Sequence, residues 1–290
     1  CILSQLSRLM HIKHNMVHHC SMSICYNNVI SMKKISKRQR FIASSLAIWG
    51  LIIAYTNIAS LQTLPVVILI ALITYIICII AIYEEIRGVE FATLFIIPVL
   101  YTLGTISFID ILPDRKVYRY PFIIGFPVGM YMILLTQNIF NVAAIRTIQL
   151  LRAAKTVSYF TTLITAFLLI AVTTVNITNP FYYLISIFIL ISVLTFQFFW
   201  SFDLGPKVEK RVVLYTAMTS LLLPQASLIL IFIPVSPALK SLLLITYFYV
   251  ILGISTHHLE RKISLRIVSE YIFFAFSVSI VILVSTKWAG

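Results

Sequence analysis

Leu64-Pro-Val-Val-Ile-Leu-Ile-Ala-Leu-Ile-Thr-Tyr-Ile-Ile-Cys-Ile-Ile-Ala-Ile-Tyr83 runs for twenty residues without a charge, and Thr74 and two tyrosines are its only polar side chains. A helix of that length rises roughly 30 Å at about 1.5 Å per residue, the thickness of a bilayer's hydrocarbon core. In lipid only a helix or a closed barrel pairs its own backbone groups, so an uninterrupted apolar run of this length reads as a helix. Similar runs occupy 41–59, 91–112, 121–140, 157–176, 180–200, 212–232, 238–255 and 271–286. The expected fold class is all-α: a polytopic integral membrane protein of about nine transmembrane helices, forming one domain over 32–290.

Composition excludes a soluble alternative. The 290 residues are 60% hydrophobic and 11% charged, with a mean hydropathy of +1.01. Soluble domains carry roughly 45–50% apolar and about 25% charged residues. The surplus cannot enlarge a core, because single cores stop growing near ~250–300 residues. Lys and Arg number 22 against 9 Asp and Glu. On a soluble fold that excess would suggest nucleic acid, but here the cations lie between apolar runs, so no nucleic-acid partner is expected. Of four cysteines, Cys78 lies alone inside an apolar run, where a thiol packs as a small hydrophobe.

The cations also orient the chain. Segments 60–63, 177–179 and 233–237 carry no charge, and charged segments at 84–90, 141–156, 201–211 and 256–270 fall between them. With the N-terminus inside, 17 Lys and Arg collect on the cytoplasmic side and 5 outside (Arg115, Lys116, Arg119, Lys240 and Lys287). That is the positive-inside pattern, with the outer loop 113–120 as its exception. Residues 1–31, with scattered His11, His14, His18, His19, Cys20 and Cys25, read as an upstream or disordered extension rather than a metal site. Met32 followed by Lys33, Lys34, Lys37, Arg38 and Arg40 reads as the start of a membrane protein. A cut after Ala59 would place Asn57 at the −3 position, so 41–59 is expected to remain as an uncleaved first span.

Ionisable groups at depth are functional candidates by default, and the predicted spans offer one acid, Asp110, near the end of the third. That argues against a proton-driven relay. Pro98, Pro127 and Pro224 interrupt the third, fourth and seventh spans and are the expected helix kinks. Broken helices can offer backbone groups to a substrate, or their freed carbonyls can be satisfied by neighbouring helices. Gly125-Phe-Pro-Val-Gly129 has the small-xxx-small spacing of close helix approach, and Gln137, Asn138, Gln197 and Gln225 suit interhelical hydrogen bonds.

Catalytic signals are weak. Glu84, Glu85 and Glu90 share one short inner loop with Arg87 and could bind a divalent metal or act as acid and base; a charged turn explains them equally. His257-His258-Leu-Glu260 lacks the i, i+4 spacing of a helical zinc pair, and Asp203 reads as a helix-end residue. There is no Walker A sequence and no G-x-S-x-G elbow. No metal and no cofactor are implied.

The most distinctive segment is Asn138-Ile-Phe-Asn141-Val-Ala-Ala-Ile-Arg146-Thr-Ile-Gln149-Leu-Leu-Arg152-Ala-Ala-Lys155-Thr156. Gln149, Arg152 and Thr156 share an arc of a helical wheel, with Ile145 and Ile148 intruding on it. Two readings stay open: a weakly amphipathic helix at the inner interface, or an extension of the fifth span. In either, Arg146, Arg152 and Lys155 are candidates to contact lipid headgroups or a partner. Together with Glu90-Phe-Ala-Thr-Leu-Phe-Ile-Ile-Pro98, this segment resembles an uncharacterised family of bacterial multi-pass membrane proteins over most of 85–285. The resemblance implies an all-helical inner-membrane protein, and no activity or site residue.

The broadest functional expectation is a non-enzymatic scaffold or assembly partner in contact with membrane lipids and other membrane proteins. The alternatives are a transporter of lipid or lipid-linked substrate, and an enzyme at the inner headgroup surface working through Glu84, Glu85 and Glu90.

Overall fold

The computed structural model describes residues 36–58, 63–82, 93–143, 150–204 and 208–286, and among these the regular structure is helical throughout. Nine helices follow in order: α1 Lys37–Asn57, α2 Leu64–Ile82, α3 Ile96–Ile111, α4 Lys116–Ala143, α5 Leu151–Asn176, α6 Pro180–Asp203, α7 Lys210–Ile231, α8 Pro237–Leu259 and α9 Leu265–Ser285. Each occupies one of the nine predicted stretches. All but α1 and α3 are long and apolar enough to cross a membrane, which marks a multi-pass membrane protein. The chain divides into two units, Cys1–Arg40 and Phe41–Gly290.

In the first unit, Ser36 and Gln39 form a capping box. The Gln39 backbone N–H donates to Ser36 Oγ at 3.3 Å, and the Ser36 N–H donates to Gln39 Oε1 at 3.1 Å. In the second unit, Asn179 caps α6 by accepting from the N–H groups of Phe181 and Tyr182, with Pro180 pre-set at the first helical position. Ser264 caps α9 through the Ile267 N–H.

The end of α8 is a Schellman turn. The Lys262 N–H donates to the His257 carbonyl at 2.9 Å, and the Arg261 N–H to the His258 carbonyl at 3.1 Å. Arg261 sits at the left-handed position of that turn, with φ 56°. Glycine is usual there, and a residue with a Cβ costs about 1 kcal/mol.

One expectation needs correction. The third stretch does not run as one helix from 91 to 112, because Leu94 and Phe95 form a turn and α3 starts at Ile96. Pro98 is therefore not a mid-helix kink; it sits in the first turn of α3, where a missing N–H has no intrahelical partner to lose. Pro127 and Pro224 do lie inside their helices, α4 and α7. For residues 151–156, the second of the two open readings is the one the structure shows. They are the opening turns of α5, which places Arg152 and Lys155 on an extension of the fifth span. Arg146 lies outside the described residues.

The second unit is built around α5, which packs against α3, α4, α6 and α8. Small residues make this possible: Ala154, Ser158, Thr161, Thr162, Thr165, Ala166, Ala171 and Thr173 are all buried on α5. Several of the threonines bond their own helix, as Thr165 Oγ1 does to the Thr161 carbonyl at 2.7 Å. One apolar core gathers α1 to α4 with Leu168 and Ala171 of α5; the other gathers α5 to α8 with Leu94, Phe140 of α4 and Ile282 of α9. α9 is peripheral, with Ile282 its one buried residue and Phe273, Phe276 and Val284 turned outward.

A cationic cleft at the end of α5

Arg152, Lys155, Thr156 and Tyr159 recur at the three- and four-residue spacing that aligns side chains on one helix face. They line a cavity of about 250 Å³ together with Phe198 and Phe202 of α6, Gly253, Thr256 and His257 of α8, and Glu260, Lys262 and Tyr271. The inner wall is aromatic. Phe198 is fully buried, its ring centroid lying 5.9 Å from Tyr159 and 5.2 Å from Phe202. Tyr159 donates its hydroxyl to the Tyr249 carbonyl at 3.0 Å, which fixes the ring. Tyr271 of α9 closes one side by lying directly on Gly253, where an added Cβ would come within 2.5–2.7 Å of the ring and hydroxyl.

The charges sit on this frame unevenly. Lys155 Nζ lies 4.4 Å from the Phe202 centroid, a cation–π contact. Lys262 bonds Glu260 at 2.7 Å, and that bond above all holds the Glu260 carboxyl below the usual carboxylate range, with the charges of Lys262, Lys155 and His257 adding. Arg152 makes no ion pair among the described residues. Among the described residues of the cleft, three cationic side chains, Arg152, Lys155 and Lys262, thus share one carboxylate. His257 Nδ1 is shielded from solvent and has no hydrogen-bond partner among the described residues. The arrangement can bind an anion through Arg152, Lys155 and Lys262 while its aromatic wall takes apolar matter.

The remaining candidates fall elsewhere. Glu84, Glu85 and Glu90 lie outside the described residues. Asp110 accepts a hydrogen bond from the Tyr55 hydroxyl at 2.6 Å, which ties α3 to α1. Gln197 Oε1 accepts from the Ile97 N–H at 2.7 Å and so satisfies a donor in the first turn of α3. Gly129 lies under the Tyr101 ring, while Gly125 opens on free space. His257 and His258 line different cavities, and among the described residues no group of three His, Cys, Asp or Glu could hold a metal.

Sequence reasoning placed Arg152 and Lys155 near a headgroup or partner but missed Tyr159, His257, Glu260, Lys262 and Tyr271 as their neighbours. The one available signal was the charge of segment 256–270, which gives no partner for it. No curated protein and no solved structure matches the chain. One family model, described as "Protein of unknown function (DUF5656)", matches residues 93–285 and so spans α3 to α9 and every cleft residue. The chain belongs to this family, DUF5656.

Proposed function

We propose that the chain is a nine-span protein of a bacterial inner membrane, N-terminus inside, that binds an anionic lipid or lipid-linked phosphate in the cleft and carries or presents it without catalysis. The observation behind this is the convergence of Arg152, Lys155 and Lys262 on an aromatic-walled cavity that has a single carboxylate among its described residues. Guanidinium and ammonium groups suit phosphate oxygens, and aromatic rings suit the boundary between headgroup and chain. Nine spans are supported by nine helices at the nine apolar stretches, and the orientation by the lysine and arginine bias. The short α3 covers about 24 Å at ~1.5 Å per residue. Its preceding turn is tolerable in a membrane because Leu94 and Phe95 are buried in protein.

The test uses the full chain in nanodiscs of zwitterionic lipid doped with an anionic one, with retained lipid counted by native mass spectrometry. Replacing Arg152 and Lys155 together with Gln should reduce retention of the anionic lipid more than tenfold. Each cation near such a surface contributes about 1 kcal/mol, and about 1.4 kcal/mol is one decade. High salt should weaken the difference. Equal retention by the variant would reject the reading.

A scaffold or assembly partner is the second reading, favoured by α9. Most of its surface faces away from the rest of the chain, which leaves Phe273 and Phe276 available to a partner helix as well as to lipid.

A further inference from the structure

Beside the α8 terminus lies a second cavity, of about 500 Å³, lined by Arg211, Leu214, Tyr215, His258, Leu259, Arg261 and Ile263. We propose that it binds a phosphate dianion, free or as a phosphomonoester headgroup, through Arg211, Arg261 and the Tyr215–His258 pair. This site does not depend on the cleft described above.

Three observations carry the proposal. Arg211 and Tyr215 stand one turn apart on α7 and so share a face. Arg261 arrives from the Schellman turn, and neither guanidinium has an ion pair among the described residues. Asp203 lies within electrostatic reach of both Glu209 and Arg211, and neither acid forms a salt bridge with Arg211 among the described residues. Guanidinium forks match phosphate oxygens two at a time, which a lone ammonium does not.

The second observation is the bond between the Tyr215 hydroxyl and His258 Nδ1. A neutral imidazole carries one N–H. If tyrosine donates to Nδ1, the Nε2–H is left free; if Nδ1–H donates to tyrosine, the hydroxyl proton is left free. Either tautomer leaves the pair one donor for an anion, beside the two guanidiniums.

The third is the backbone of Arg261. Its φ of 56° falls where glycine is the usual residue. The turn sends Arg261 to this cavity and Lys262 to the cleft. A strained position occupied by an arginine points to a use for the guanidinium rather than to the turn itself.

The test uses the full chain in zwitterionic nanodiscs, with inorganic phosphate as the probe in one arm and nanodiscs doped with phosphatidic acid in the other. Arg211→Gln and Arg261→Gly should each weaken binding about tenfold in at least one arm, corresponding to about 1.4 kcal/mol. The arm that responds identifies the source of the phosphate. Arg261→Gly should also raise the melting temperature, because glycine relieves the left-handed turn. Weaker binding in a more stable protein is an outcome a merely structural arginine would not give. Tyr215→Phe should reduce binding several-fold, and the tenfold loss on Arg211→Gln should persist in a background carrying Arg152→Gln and Lys155→Gln, where the cleft no longer contributes. Wild-type affinity of Arg211→Gln and Arg261→Gly in both arms would overturn the proposal. So would complete loss of binding in both arms on changing Arg152 and Lys155.

Discussion

Pro127 has no N–H, so the carbonyl of Ile123, four residues earlier, loses its helical donor. Trp49 of α1 supplies the replacement: its indole N–H donates to the Ile123 carbonyl at 2.7 Å. One contact thus answers two needs, since a half-buried indole N–H and a freed carbonyl are each costly unpaired away from water. Trp49→Phe should destabilise the protein by about 1–2 kcal/mol, read as a lower midpoint of thermal or detergent unfolding. In a Pro127→Ala background the new backbone N–H at that position restores the helical bond, so the same Trp49 change should cost much less. An equal cost in both backgrounds would show that the tryptophan acts only through its bulk. Half of this pairing was legible in the sequence: Pro127 identifies which carbonyl is freed. The donor, 74 residues away, was not legible, and Trp49 sits mid-span, where it gives no boundary information. Gln197 is similar: its type predicted an interhelical bond, but the Ile97 N–H became its partner through the break at Leu94 and Phe95.

Helices were legible because a bilayer fixes their length and lipid forbids unpaired backbone, so apolar run length alone located all nine. Their ends were less so. α4, α5 and α9 continue a turn or more past the apolar stretch into charged sequence, where hydrogen bonding still favours helix. That is how Arg152 and Lys155 came to sit on α5 rather than on a surface helix. The packing of α9 on α8 depends on a residue of little sequence prominence. Gly253 has the Tyr271 ring where a Cβ would be, while Gly50 on α1 has nothing within 4 Å. Gly253→Ala should push Tyr271 away, cost about 1–3 kcal/mol and open the cleft, lowering anionic-lipid retention. Gly50→Ala should be neutral or stabilising by about 0.5–1 kcal/mol, as expected of glycine in a helix interior. If the two substitutions had equal effects on unfolding, Tyr271 would not be a packing partner of Gly253. The cleft itself could not be read from sequence, because Lys155 and Glu260 meet only through the packing of α5 on α8.

For the whole molecule, topology depends on whether the two helices of marginal length or polarity cross. α1 begins with Lys37, Arg38 and Arg40, and α3 has only sixteen residues. Reporter fusions after residues 87, 150, 206 and 262 should read cytoplasmic, and those after 62, 117, 178 and 235 external. The fusion after 117 is the sharpest. If α3 failed to cross, it would read on the same side as the fusion after 87, and every later site would invert. The loop 113–120 is the place where charge counting favours that inversion, since it carries Arg115, Lys116 and Arg119. The geometry weakens that objection. Arg119 bonds Asp114 at 2.6 Å and the Leu112 carbonyl at 3.2 Å, so one of the three cations is engaged within the protein. Inversion would also carry the nine cations of segments 141–156, 201–211 and 256–270 to the external side, against the positive-inside bias. The same inversion would place Arg152, Lys155 and Lys262 away from the leaflet whose anionic lipids they suit. Opposite readings at two or more of these sites would therefore reject the nine-span arrangement, together with the cytoplasmic placement of the cleft that rests on it.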